Sequence, residues 1–347
     1  MPESSAAAAA NALTPEPIHR VLLAYCGSKV LMSAVEVDLF SVLAQEGPAT
    51  EAELRRRLNL HPRFSRHFLD ALVALELLEA PGERYANSPL ADHFLDRAKP
   101  TSLVGFAEMT SDTFYPAWGR LTKALHTGQA QAPLPPDDEN HLFRVNATEH
   151  PDRVRRFMSS MDSHSTRIGE ELAALIDWSG YSRFADLGGA RGNLTAVIAK
   201  AHPHLSGVCF DRPQSRPFFD EHIGRLGLAD RVTFQAGDFF ADPLPQADVL
   251  VYGHVLHDWG PDSRRILLNR AHQALSSGGT LVVYDRMLDG SPRDLAKLMY
   301  SMTFMLASGG GSEYSVEECG DWLREAGFTE ISAQPLLHDH TVVLARK

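Results

Sequence analysis

The run Asp186-Leu187-Gly188-Gly189-Ala190-Arg191-Gly192 follows a short apolar stretch and precedes an amphipathic one. Glycines at such a strand-to-helix turn let the chain reverse sharply and let backbone amides approach a ligand closely. The next apolar stretch ends in Asp211, where an acid can accept both hydroxyls of a ribose. A third ends in Gly237-Asp238-Phe239, a carboxylate followed by an aromatic face suited to a purine. A dinucleotide site would share the glycines and the ribose acid, so those two features alone do not choose a cofactor. Two details lean away from a dinucleotide. Ala190 interrupts the G-x-G-x-x-G spacing, and an acid, Asp186, stands before the first glycine. That suits a cofactor carrying an ammonium and a sulfonium in place of a pyrophosphate. The alternative for the set is three aspartates that only cap helices.

These residues need a scaffold that brings strand ends together. From Tyr181 onward short apolar runs (RFADLGG, LSGVCFD, RVTFQAGD, ADVLVYGH, TLVVYD) alternate with helical runs. Strands separated by helices of about 10–15 residues imply an α/β fold with a doubly wound parallel sheet, whose ligands bind at the carboxyl ends of the strands. The N-terminal part reads differently. Apolar residues recur at helical spacing from about Pro17 to Leu43, and Thr50 with Glu53 forms a capping box that opens a second helix. A further helix leads to a turn at Pro81-Gly82, the plan of a winged helix. Arg55–Arg57 is its basic cluster and acids surround it, so dimerisation is favoured over DNA binding. Between the two parts, residues 101–178 look helical and rich in Met and aromatic side chains, interrupted by a Pro-rich acidic loop at 129–140. The expected boundaries are a disordered tail at 1–14, a mainly α-helical winged-helix domain at 15–100, a helical connector at 101–178 and the α/β domain at 179–347.

Composition narrows the function classes. A length of 347 residues with 44% apolar and 22% charged residues suits about two soluble domains. A formal net charge of −11 argues against nucleic acid or an anionic membrane as partner. Cys26, Cys209 and Cys319 are too scattered for zinc or a disulfide framework, which points to reduced thiols and the cytoplasm. Residues 2–12 lack the features of a signal peptide, and no run of about 18 apolar residues suggests a membrane span. His338 and His340 have metal-ligand spacing but no evident third ligand, so no metal site is expected.

With DLGGARG, CFD, AGDFF and above all the HDW tripeptide His257-Asp258-Trp259, the chain resembles the small-molecule O-methyltransferases, which include plant caffeate-type enzymes and bacterial enzymes of antibiotic biosynthesis. The likeness spans nearly the whole chain. It implies a Rossmann-like methyltransferase domain behind a winged-helix dimerisation domain, S-adenosylmethionine as cofactor and a homodimer. It also implies that His257 is the general base, held by Asp285 and by Glu313 of Gly310-Gly311-Ser312-Glu313. Cofactor contacts fall by the same matching on Gly188, Asp211, Asp238, Phe239 and Ser165. The acceptor pocket is expected to take in Met161, Met302 and Met305, with Met158, Phe304 and the 106–118 segment as further candidates. Three departures stand out: Ala190 for a common glycine, Gly253 for a frequent lysine, and Asp285 where plant enzymes usually carry Glu. The expected reaction is methyl transfer to a hydroxyl of a small, aromatic secondary metabolite. C- or N-methylation, or a non-methylating relative on the same scaffold, is the alternative; a winged-helix regulator is the third reading.

Overall fold

A computed structural model describes residues 14–132, 151–288, 294–337 and 339–347. Nearly all of the expected 1–14 tail, most of the 129–140 loop and His338 lie outside these residues. The described chain forms two compact units, divided between Asp96 and Arg97.

The N-terminal unit is helical with a small antiparallel sheet of β1 (Ala49–Thr50), β2 (Leu78–Glu79) and β3 (Arg84–Asn87) in the order β1-β3-β2. The stretch read as one helix over about 17–43 is two, Glu16–Glu36 and Leu39–Glu46. Asp38 breaks it by taking a left-handed conformation (φ 60°), which a short polar side chain tolerates better than most. The Thr50–Glu53 capping box is present in both directions, with Thr50 N donating to Glu53 at 2.8 Å. The Glu16–Glu36 helix buries Met32, Ala34 and Val35 at its C-terminal end. Its N-terminal half leaves Ile18, Val21, Leu22, Leu23 and Tyr25 between 58% and 76% exposed.

In the second unit a seven-stranded sheet is built from β4 (Arg183–Leu187), β5 (Ser206–Asp211), β6 (Val232–Ala236), β7 (Ala247–Gly253), β8 (Leu275–Asp285), β9 (Thr329–Leu336) and β10 (His340–Arg346). The order is β6-β5-β4-β7-β8-β10-β9. β4 to β8 run parallel, as expected, and the order reverses at β4, which opens a crevice at the carboxyl ends of β4 and β7. The last strand does not join an edge: β10 inserts antiparallel between β8 and β9. Both faces are covered. Leu250 and Tyr252 of β7 pack into one core layer and Val249 and Val251 into the other, and β8 does the same with Leu281 and Val283 against Val282 and Tyr284. Alternating burial on two sides explains why these strands read as continuous apolar runs. Each fully buried residue of this size contributes about 1.5–3 kcal/mol, which makes the strand ends rigid supports.

Candidate active site

β4 stops at Leu187 and Gly188 takes a left-handed φ of 82°, a conformation that costs glycine nothing. Its amide donates to the Phe210 carbonyl at 2.8 Å, pinning the turn to β5. Ala190 also lies at positive φ (50°), so the residue that departs from the common glycine adopts the glycine conformation under strain. Its amide donates to Asp211 Oδ2 at 2.7 Å, while Asp211 Oδ1 accepts from Arg212 N at 2.7 Å and Ser215 Oγ at 2.9 Å. Asp238 Oδ1 accepts from Phe240 N at 2.9 Å. Both aspartates therefore do hold local turns, yet their oxygens keep lone pairs that can accept from a ligand. Burial pushes the Asp211 carboxyl up despite those donors. Asp186 is different: it lies buried beneath the turn, accepts from Thr195 Oγ1 at 3.2 Å, and burial raises it to about 7.

Two residues that the sequence reading passed over hold the turn from the far side. Arg191 Nε donates to Asp162 Oδ2 at 2.9 Å, its Nη2 reaches the same oxygen and also Ser159 Oγ, and both Arg191 and Asp162 are buried. Asp162 belongs to the helix Pro151–Leu175, which carries Ser165 one turn further on. Asn193, the first residue of the helix after Gly192, donates to Ser165 Oγ at 2.9 Å, so Ser165 stands next to the glycine turn. Phe239 contributes a half-buried ring set edge-on to Tyr252 and Trp259. With the Arg191 guanidinium taken up by Asp162, the strand ends present carboxylates, a hydroxyl, an aromatic face and the glycine-turn backbone, with the Arg212 guanidinium 4.0 Å from Asp238 Oδ2 beside them. That donor set fits a cationic nucleoside better than a pyrophosphate.

His257 sits in a single helical turn, Leu256–Asp258, just beyond β7, and is 3% exposed. Its Nδ1 lies 3.0 Å from Glu313 Oε1 and 3.3 Å from Asp285 Oδ1. Asp285 ends β8; its other oxygen accepts from the Tyr314 hydroxyl at 2.5 Å. The Glu313 amide donates to Ser301 Oγ at 3.1 Å, which fixes the loop before the next helix. Imidazole Nε2 makes no hydrogen bond among the described residues; Asp258 Oδ1, 3.6 Å away, is its nearest charged neighbour. Burial by itself disfavours an imidazolium, but Asp285, Glu313 and Asp258 outweigh it and raise His257 to about 9. Burial likewise lifts Asp285 and Asp258 to about 7 against the pull of His257. Among the described residues Asp285 Oδ1, Glu313 Oε2 and Asp258 Oδ1 are buried without a hydrogen-bond partner, an arrangement that crowds three carboxyls around one ring.

Phe304 of the helix Leu295–Ala307 covers the His257 ring at a centroid distance of 4.1 Å. Met161 and Met302 are half-buried, but Met305 is 55% exposed. It is Phe304, not Met305, that this helix sets on the imidazole; the neighbouring position points about 100° away around a helix. Gly253 leaves no gap for its missing side chain, because a Cβ there would overlap the Tyr284 ring. His254 stacks on His257 (5.6 Å, 7° between planes) and meets His340 at 2.7 Å between ring nitrogens. Among the described residues no group of three or more His, Cys, Asp or Glu side chains is arranged to hold a metal.

Residues 19–97 match the O-methyltransferase dimerisation domain and residues 118–329 the O-methyltransferase domain. The chain is 46% identical, over 96% of its own length and 97% of the other's, to the tetracenomycin polyketide synthesis 8-O-methyl transferase TcmO of Streptomyces glaucescens. It is 44% identical to the N,N-dimethyltransferase OxyT of Streptomyces rimosus, with 93% and 94% covered. Human N-acetylserotonin methyltransferase, solved in complex with S-adenosylmethionine, superposes with a TM-score of 0.83 at 27% identity, covering 96% of this chain and 97% of that one. With domain matches that run through both units and full-length relatives of this kind, the chain belongs to the S-adenosylmethionine-dependent O-methyltransferase family.

Proposed function

We propose that the enzyme transfers the methyl group of S-adenosylmethionine to a hydroxyl of a fused aromatic acceptor, with His257 taking the acceptor's proton. The observation that carries this reading is the asymmetry of His257: two carboxylates converge on Nδ1, while Nε2 makes no hydrogen bond among the described residues. Gly188, Asp211, Asp238, Phe239 and Ser165 are the residues that would hold the cofactor, which when bound supplies a methyl on a sulfonium with a neutral leaving group. Glu313 keeps the Nδ1 proton in place, so Nε2 presents its lone pair to the acceptor once the ring is neutral. Asp285 stabilises the imidazolium that forms. A ring that titrates near 9 is mostly charged at neutral pH, so the base form accumulates as pH rises towards 9. Met161, Met302, Phe304 and Trp118 supply an adaptable, aromatic wall; Trp118 Nε1 donates to Thr303 Oγ1 at 3.0 Å and so joins its segment to the Phe304 helix. Likeness to an enzyme named for polyketide 8-O-methylation supports a polycyclic phenol.

His257→Ala tests the proposal against a panel of phenolic polyketides. Binding of S-adenosylhomocysteine stays intact and turnover falls by about 10²-fold or more, with part of the loss recovered as pH approaches the acceptor's own pKa. Normal turnover at pH 7 would sink the base assignment. The 44% identity to an N,N-dimethyltransferase supports a second reading, an amine acceptor. Mass and NMR analysis of the methylated product decides between oxygen and nitrogen.

The working unit is a homodimer in the cytoplasm. Five apolar side chains left exposed on the Glu16–Glu36 helix form a patch suited to a second copy, and most of it falls within the dimerisation-domain match. That helix is also long and apolar enough to cross a membrane by composition, with a mean hydropathy of 1.2. Glu16, Arg20, Lys29 and Glu36 along it favour the dimer over a membrane. The net charge of −11 leaves nucleic acid without a basic surface.

A further inference from the structure

We infer that Arg264 is a positioning residue for His257: a buried guanidinium that clamps the turn carrying the imidazole to the loop carrying Glu313. The inference rests on the reading of His257 as the base. Arg264 lies in the first turn of the helix Pro261–Ala274 and is 2% exposed. Its Nε donates to the Leu256 carbonyl at 2.8 Å, and its Nη2 donates to the Ser312 carbonyl at 2.5 Å and to Ser312 Oγ at 3.1 Å. Those two carbonyls belong to the residues immediately before His257 and Glu313. The same two segments are stitched once more by Ser312 N, which donates to the His257 carbonyl at 2.8 Å.

The guanidinium lies against two neighbouring rings, 4.6 Å from the Tyr314 centroid and 5.2 Å from that of Trp322. Tyr314 is the residue whose hydroxyl donates to Asp285. One side chain therefore touches the carbonyl just before the base, the carbonyl just before its first carboxylate and the ring that orients its second. No carboxylate lies within ion-pairing distance of Arg264 among the described residues, although Asp285 and Glu313 act on it through space. Burying a guanidinium without a contacting anion is costly, and an apolar side chain of the same length would fill this space more cheaply. What an apolar residue could not do is accept the fixed fork geometry that spans two carbonyls on different segments.

The readout is the titration of His257 itself, which a purely packing role would not move. The groups facing that ring are Asp258 on its own turn, Asp285 from β8, Glu313 from the loop and His254 from the end of β7. Full-length protein labelled at histidine Cε1 is titrated by NMR, with the His257 signal assigned by its loss in His257→Gln. Arg264→Met releases both segments and lets the carboxylates drift from Nδ1, so His257 loses about tenfold or more in proton affinity, one pKa unit downward, whereas loss of the cation without that release moves it upward. Arg264→Lys keeps the charge but cannot fork, and falls between Arg264→Met and the unmodified protein. Both variants bind S-adenosylhomocysteine, since Arg264 touches none of the cofactor residues. A folded variant of either kind whose His257 titrates as in the unmodified protein overturns the clamp. Should neither fold, Arg264 Nε–H in the unmodified protein decides: slow exchange with solvent supports the clamp, and rapid exchange refutes it. Normal turnover by His257→Ala would sink the base assignment but leave these titrations standing, so the two failures are distinguishable.

Discussion

Asp285→Asn probes the electrostatics of the site most directly, because Asp285 raises His257 through its charge alone, whereas Glu313 also hydrogen-bonds the ring. The amide keeps an oxygen for the Tyr314 hydroxyl and removes one buried negative charge 3.3 Å from Nδ1. At an effective dielectric constant of about 20, two charges at that separation attract by about 5 kcal/mol. At about 1.36 kcal/mol per pKa unit, that sets an upper bound between three and four units. Glu313 remains, and a proton shared among the remaining carboxylates absorbs part of the change, so the expected fall is about two units, from about 9 towards 7. At pH 7 the neutral fraction of His257 then rises from about 1% to about half. The base is also weaker, and if half of that loss in basicity is felt in the transition state, the proton-transfer step slows by about tenfold. The variant should therefore turn over as fast as the unmodified enzyme or faster at pH 7, and about tenfold more slowly above pH 9. The assay is kcat/KM for the acceptor from pH 6 to 10 at saturating cofactor. An acid limb that stays where it was, with activity lower by one factor at every pH, would refute the reasoning and leave Asp285 a purely steric support.

Three further outcomes are expected. Ala190→Gly relieves a left-handed alanine worth about 1–2 kcal/mol against about 0.4–1 kcal/mol of added chain entropy in the unfolded state, so chemical denaturation should show a gain near 1 kcal/mol with cofactor affinity unchanged; a loss would mean that the Ala190 methyl makes a needed contact. Asp162→Asn leaves Arg191 buried and unpaired, which should cost about 3 kcal/mol in denaturant titrations and weaken S-adenosylmethionine binding through a loosened glycine turn; unchanged affinity would detach that ion pair from the cofactor site. Replacing both Val21 and Leu22 by Glu should convert a dimer into monomers in sedimentation velocity, and a monomeric unmodified protein at micromolar concentration would refute the dimer outright.

Much of this protein is decided within short stretches of its chain. The strands that carry Asp186 and Asp211 declare themselves because a strand buried on both faces must be apolar throughout, and the turn after Asp186 declares itself through glycine. The Thr50–Glu53 cap is as local, since both partners lie within one helical turn. His257 stood out through its tripeptide, and its partners could be named only by resemblance. What brings Glu313 and Asp285 to one ring nitrogen is the parallel crossover that ends β7 and β8 side by side, together with a loop whose Glu313 contact closes 56 residues along the chain. The insertion of β10 beside β8 is of the same kind: strand pairing is a choice among distant partners that no periodicity encodes. So is the place of Arg264. In sequence it is one arginine of an amphipathic helix, and only tertiary packing puts it against Tyr314 and Trp322, with its fork across the carbonyls of Leu256 and Ser312. Local sequence sets dihedral preferences and burial, whereas the site depends on which segments meet. That is determined by the packing free energy of the whole sheet, a sum over residues far apart in the chain.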